Sequence, residues 1–235
     1  MIGSIRIHVP AELAEGEAVG TTVAQAHYLG DVMRCRPGDR ILLFNGRDGE
    51  FAARIETIRR DGARLCVEHR MRSQTPEPDL WLVFALLKRG ATELIVQKAT
   101  ELGVASLCPV ITERCVVQRI NPDRLRAIAI EAAEQSERLT IPHLCLARSL
   151  AGLLSEWPHH RRLFAAVERC AAPPIAGTRG PCALLVGPEG GFTSAELDAL
   201  GRYPFVTSVS LGPRILRADT ACIAGLALLQ GVDCR

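Results

Sequence analysis

The first third of the chain alternates between apolar and polar positions with a period of two. Ile5, Ile7 and Val9 are separated by Arg6 and His8, and Pro10 ends the run, so a short strand is predicted over 5–9. Thr21 or Thr22 stands where a cap belongs for a short helix carrying Ala24, Tyr28, Leu29 and Met33. Arg36-Pro37-Gly38-Asp39 reads as a turn. An apolar strand over 41–44 then meets two turn signals, Asn45-Gly46 and Asp48-Gly49. Residues 51–58 alternate again, and Asp61-Gly62 leads into a strand over 64–68. Short strands with turns at regular intervals predict a small β-barrel.

The pattern changes after Ser73-Gln74-Thr75-Pro76-Glu77-Pro78-Asp79, a polar, proline-bearing linker. Two domains are therefore expected, 1–73 and 74–235. Beyond the linker, apolar strands over 80–87, 106–111, 163–167, 183–186 and 206–210 alternate with helices. The helices are predicted over 91–102, over 122–138 with Asn121 as cap and Pro122 in the first turn, after the capping box Thr193-Ser194-Ala195-Glu196, and over 218–229. This alternation predicts an α/β domain, a mostly parallel sheet covered by helices. The last helix is apolar over a wide arc, so one side is expected on the sheet and the rest against a partner.

Composition narrows the class. Apolar residues are 48% and charged residues 23%, which suits a packed core and not a disordered chain. No apolar run approaches the ~20 residues of a membrane span. The first residues form no apolar signal core, so a cytosolic protein with no membrane partner is expected. Nine cysteines, none in a C-x-x-C pair, give no zinc spacing, and no metal is expected. Net charge is only +2, yet all but two of the 28 basic residues (Lys88 and Lys98) are arginine. Genomic base composition accounts for such a bias; arginine forks also suit phosphates.

Two junctions carry candidate chemistry. In the first, a buried strand ends at Val186 and runs through Gly187-Pro188-Glu189-Gly190-Gly191-Phe192 into the capped helix. Pro188 and Glu189 break the dinucleotide fingerprint, and no Gly-Lys-Ser/Thr follows, so this is neither a Rossmann turn nor a P-loop. In the second, Ser210-Leu211-Gly212-Pro213-Arg214-Ile215-Leu216-Arg217-Ala218-Asp219-Thr220 repeats the strand–Gly-Pro–helix plan and crowds two arginines, an acid and a hydroxyl at the junction. Each is open to a bland reading as a tight turn with helix caps. Together they mark a ligand site at the carboxyl ends of parallel strands.

The two junctions together resemble the cofactor signature of the ribosomal RNA small subunit methyltransferase E family. The resemblance extends along the chain. His27-Tyr28-Leu29, Val32-Met33-Arg34 and Pro37-Gly38-Asp39 are similar to its PUA-like N-terminal domain. Gln97 to Val104, Thr112-Glu113-Arg114-Cys115 and Glu131 to Ser136 are similar to further blocks. The family usually carries Glu where Asp219 stands, and Lys about where Ala91 stands.

The resemblance implies a SPOUT-class α/β domain with a C-terminal trefoil knot, joined to a smaller PUA-like β-barrel. It implies a homodimer that uses S-adenosyl-L-methionine to methylate N3 of a uridine in 16S rRNA of the small ribosomal subunit. The cofactor would lie among three loops, one of them following 163–167, held by Val186, Gly187, Glu189, Gly190, Gly191, Leu211, Gly212, Ile215, Leu216 and Thr220. Arg217 is the candidate cation for the developing uridine anion. Asp219 and Glu189 are candidates for the base, each open to a reading as a cap. Arg34, Lys88, Arg89 and Arg114 are candidates for RNA contact. His27 is expected to be a packed histidine, and no cysteine is expected to act as a nucleophile. Two other readings are a SPOUT enzyme acting on transfer RNA or a 2′-hydroxyl, and an RNA-binding assembly factor without activity.

Overall fold

The computed structural model describes residues 5–167, 172–178 and 180–231. Cys170, Cys234 and the start of the loop after residue 167 lie outside them. The chain divides into two compact units. One takes residues up to Pro76 together with Ala133–Ile141; the other takes Glu77–Ala132 and the chain from Pro142 onward.

In the first unit, β1 (Arg6–His8), β2 (Ala18–Gly20), β3 (Arg40–Phe44), β4 (Glu50–Arg59) and β5 (Gly62–Arg72) form a five-stranded sheet ordered β1-β3-β4-β5-β2. β1 runs parallel to β3 and the other pairs are antiparallel. Three register shifts between β4 and β5 bend this long ribbon. The alternation of the sequence becomes a one-sided core of Ile7, Ile41, Leu43, Ile55, Leu65 and Val67. β2 escaped the sequence reading because it is three residues long and buries only Val19.

α1 (Val23–His27) starts as expected. Thr22 Oγ1 accepts the Gln25 N–H at 3.2 Å, and Gln25 Oε1 accepts the Thr22 N–H at 3.0 Å. The chain then widens into one π-helical turn, Tyr28–Val32, instead of continuing as α-helix through Met33. Arg34 ends it at φ 56°, and the Cys35 N–H donates back to Leu29 O at 2.8 Å. His27 is exposed and not packed. Its Nδ1 lies 2.6 Å from Asp31 Oδ2.

The second unit is an α/β layer structure. Its strands are β6 (Leu80–Ala85), β7 (Ser106–Ile111), β8 (His143–Leu144), β9 (Arg148–Ser149), β10 (Arg162–Ala166), β11 (Cys182–Val186) and β12 (Val206–Val209). They form an all-parallel sheet, β12-β10-β11-β6-β7-β8, with β9 also on β7. The helices are α2 (Arg89–Glu101), α3 (Pro122–Gln135), α4 (Leu150–Ser155), α5 (Ser194–Gly201) and α6 (Ala218–Gln230). The last turn of α3 falls within Ala133–Ile141.

Both faces of this sheet are covered, which is why β6 and β11 are continuous apolar runs. On one face Val83, Leu185 and Leu163 pack with Leu153, Leu154 and Trp157. On the other, α6 lies against α2, β11 and β6. A Cβ at Gly225 would stand 2.6 Å from a methyl of Leu184, so glycine is what lets α6 sit this close. β12 lies at the sheet edge beyond β10, while α6, which follows it, covers strands on the other side of β10. The C-terminal segment therefore doubles back across its own sheet.

Candidate active site

Because all seven strands are parallel, their carboxyl ends share one edge of the sheet, and the two Gly-Pro junctions meet there. β11 is buried throughout and ends at Val186. The chain then turns, with the Gly191 N–H donating to Pro188 O at 2.8 Å and Gly191 at φ 68°. α5 begins at once, capped by Thr193 and Glu196. After β12, Ser210 Oγ accepts the Gly212 N–H at 3.2 Å, and Gly212 takes φ 117°. Arg217 then opens α6, its carbonyl accepting the Ala221 N–H at 2.8 Å.

Between these turns lies a cavity of about 860 Å³. Val186, Gly187, Glu189, Gly190, Gly191, Leu211, Gly212, Ile215 and Leu216 line it, and so does Arg217. Thr220 and Asp219 do not. Asp219 Oδ1 instead accepts the Thr220 N–H at 2.6 Å in the first turn of α6, where the helix dipole favours an acid. The Thr220 hydroxyl lies 3.2 Å from the same oxygen, so the residues expected as a base and a cofactor contact bond to each other off the cavity wall. Glu189 is left as the acid on the cavity wall, which Arg114, Arg214 and Arg217 also line.

The expected RNA contacts separate. Arg114, in the turn after β7, lines the cavity. Lys88 and Arg89 lie outside its wall but emerge from the same carboxyl edge, at the start of α2. Arg89 is paired with Glu93 at 2.9 Å. Arg34 belongs to the first unit. The two acids nearest it in sequence are engaged elsewhere, Asp31 with His27 and Asp39 with the Arg36 N–H.

The sequence reading missed Phe192 and the small residues Ala166, Ala218 and Ala221, all on the cavity wall. Phe192 could have been found from its place after the double glycine. Its ring occupies the space where a Cβ at Gly187 would stand, at 3.0 Å. The alanines carry no signal beyond their place at strand and helix ends. Cys222, next in sequence to the cavity-lining Ala221, is buried; that burial, with Asp219 nearby, pushes its thiol well above the ordinary range. Among the described residues no three His, Cys, Asp or Glu side chains gather into a metal site, and no helix is long and apolar enough to cross a membrane.

This fold and site define a class, the α/β RNA methyltransferases with a PUA-type N-terminal domain. An RNA methyltransferase domain model matches residues 74–230, and an RNA methyltransferase PUA domain model matches residues 21–65. Ribosomal RNA small subunit methyltransferase E of Rickettsia conorii is 34% identical, over 96% of this chain and 94% of its own. The enzyme of that name from Neisseria gonorrhoeae, in a crystal structure bound to S-adenosyl methionine, is 29% identical, with 97% of each chain covered and a TM-score of 0.88. A methyltransferase from Legionella pneumophila, solved with bound S-adenosylmethionine, is 31% identical at a TM-score of 0.86, again with 97% of each chain covered. The chain belongs to the ribosomal RNA small subunit methyltransferase E family.

Proposed function

We propose that this protein methylates N3 of a uridine in 16S rRNA, with S-adenosyl-L-methionine as methyl donor. The observation that carries the reading is the cavity itself, where two glycine turns and three arginines converge at the carboxyl edge of the sheet. A donor site needs bare backbone beside open space. Gly191 and Gly212 supply it: a Cβ on either would meet no atom within 4 Å, so a ligand has room to lie against the main chain.

Bound there, the donor supplies an activated methyl group for in-line displacement. Val186, Leu211 and Leu216 offer apolar walls, and the main chain of both turns offers hydrogen bonds that orient it. The acceptor is harder to prepare. A uridine N3–H is a weak acid and must lose its proton before nitrogen attacks. Arg217 reaches the cavity with no ion pair among the described residues, so its charge is free to stabilise the anion as it forms. Glu189 is the acid placed to take the proton. Arg214 adds positive charge that suits the phosphates flanking the target.

The uridine must be splayed out of its surroundings to enter. We assign the holding of RNA to residues 1–73 and the chemistry to 74–235. We take the working species to be a cytoplasmic homodimer, a reading supported by α6, where Leu228 remains 45% exposed and Ile223 is only partly buried.

The test is to incubate the protein with labelled S-adenosylmethionine and small ribosomal subunits lacking the modification, then locate the methyl by mass spectrometry. N3-methyluridine in the 16S RNA is expected. Transfer only to transfer RNA, or to a ribose hydroxyl, overturns the assignment.

A further inference from the structure

We infer that Arg114 is a positioning residue for the donor loop, and that the turn Thr112–Cys115 is a brace which holds that loop in its binding shape. The inference rests on the donor reading above. It changes the role of a residue whose charge and block suggested RNA contact.

Four observations converge. Arg114 Nη1 donates to Gly190 O at 2.7 Å, within the range of a strong charge-assisted bond, and lies 3.4 Å from Phe192 O. Its methylenes pack on the same glycine: a Cβ at Gly190 would stand 3.3 Å from Arg114 Cβ and 3.4 Å from Cδ. One residue earlier, the Glu113 N–H donates to Glu196 Oε1 at 2.9 Å, while Glu196 Oε2 accepts the Thr193 N–H at 2.9 Å. One carboxylate thus ties the brace to the cap of α5. The brace is itself closed: the Cys115 N–H donates to Thr112 O at 3.1 Å, and Cys115 Sγ lies 3.2 Å from Thr112 Oγ1.

The physical consequence follows from the loop's sequence. Glycines at 187, 190 and 191 give the main chain many conformations, of which binding needs one. The loop ends in a rigid capped helix, and beyond Pro188 and the Phe192 ring on Gly187 its own side chains do little to fix Gly190 and Gly191. Arg114 and Glu113 supply the fixing from β7, two strands away from β11 in the sheet. Without the guanidinium, the loop samples other shapes, and binding must select the competent fraction. Donor affinity falls while RNA affinity does not.

Arg114→Met keeps the packing on Gly190 and removes the donor; Arg114→Lys restores one donor. Three readouts separate the roles. In the protein alone, hydrogen exchange over residues 188–193 should quicken in Arg114→Met. By calorimetry, affinity for S-adenosylmethionine should fall about tenfold or more in Arg114→Met, with part recovered in Arg114→Lys. Affinity for unmethylated small subunits, and its salt dependence, should match wild type. Unchanged exchange, or a loss confined to RNA affinity with a shallower salt slope, overturns the inference. If wild-type protein takes up no S-adenosylmethionine, the donor reading fails, and the exchange measurement still decides whether Arg114 braces the loop.

Discussion

Arg6 Nε lies 2.6 Å from Glu50 Oε1, and each side chain is only 4% exposed. The pair is fully served. Arg6 also donates to the carbonyls of Ala133, Glu134 and Arg138 and lies over the Phe44 ring, while Glu50 accepts a second guanidinium from Arg72. The carbonyls belong to the end of α3 and the turn after it, so one buried cation ties Ala133–Ile141 to the first sheet. Arg6→Ala removes all of Arg6's own bonds, leaves three carbonyls without their donor and leaves buried Glu50 to Arg72 alone. Unfolding in urea should show a loss of about 3–5 kcal/mol, with Arg6→Lys intermediate because an ammonium cannot fork. A loss below about 1 kcal/mol would mean that solvent already satisfies these groups.

Gly212 stands at φ 117°, a region closed to β-branched residues. Gly212→Val should abolish donor binding by calorimetry while far-ultraviolet circular dichroism stays native, since no atom lies within 4 Å of the added Cβ. Gly190→Val should act differently. Gly190 is not at positive φ; its Cβ meets Arg114 instead, so donor affinity should fall through displacement of that side chain.

The second unit was the more legible in sequence. Buried parallel strands are unbroken apolar runs, and Thr193 with Glu196 announces a helix start through local hydrogen bonds alone. The stretch 139–160 was silent because β8 and β9 are two residues each and α4 only six, too short for any period to show. The grouping of Ala133–Ile141 with the first unit was equally hidden. It depends on Arg6, whose partners lie 127 to 132 residues away. At the site, glycine and proline marked both turns. Asp219 was not legible, because a carboxylate that bonds the next residue's N–H in a first helical turn and one that faces a cavity look alike in one dimension.

Arg217→Ala should lower kcat about 10²- to 10³-fold with little change in KM for RNA or donor. Arg217 contributes its backbone, not its side chain, to the start of α6, so the fold should survive. A rise in KM for RNA at unchanged kcat would assign Arg217 to phosphate binding instead.

Arg34 is the one N-terminal arginine expected to touch RNA, and its left-handed backbone offers a clean variant. Arg34→Gly deletes the guanidinium and relieves the backbone, so thermal stability should hold or rise. Affinity for small-subunit RNA should weaken with the salt slope shallower by about one. Unaltered RNA binding would leave Arg34 a helix terminator and nothing more.

Cys108 and Cys145 face each other with sulfurs 3.2 Å apart. The hydrogen bond from Cys108 holds the Cys145 thiol down to about 7, and the same bond with burial pushes Cys108 up. A depressed thiol is ionised at any pH above its midpoint. Alkylation of Cys145 should therefore begin below the pH usual for a free cysteine, about 8.5, while Cys108 stays unlabelled. In Cys108→Ala the onset should move up. Mass spectrometry of maleimide adducts against pH measures both, and equal labelling of the two thiols would contradict the pairing.

Every wall of the cavity comes from Arg114 or from residues 166–221, whereas the first unit is complete once Ile141 has been made. A ribosome building this chain thus finishes one unit well before the other has a site. A product cut short between Ile141 and β11 carries every residue of the first unit and no cavity. An antibody raised against the first unit would count such fragments as enzyme. A bound, labelled donor would not, and the ratio of the two signals measures how much of a cell's pool was translated to the end of α6.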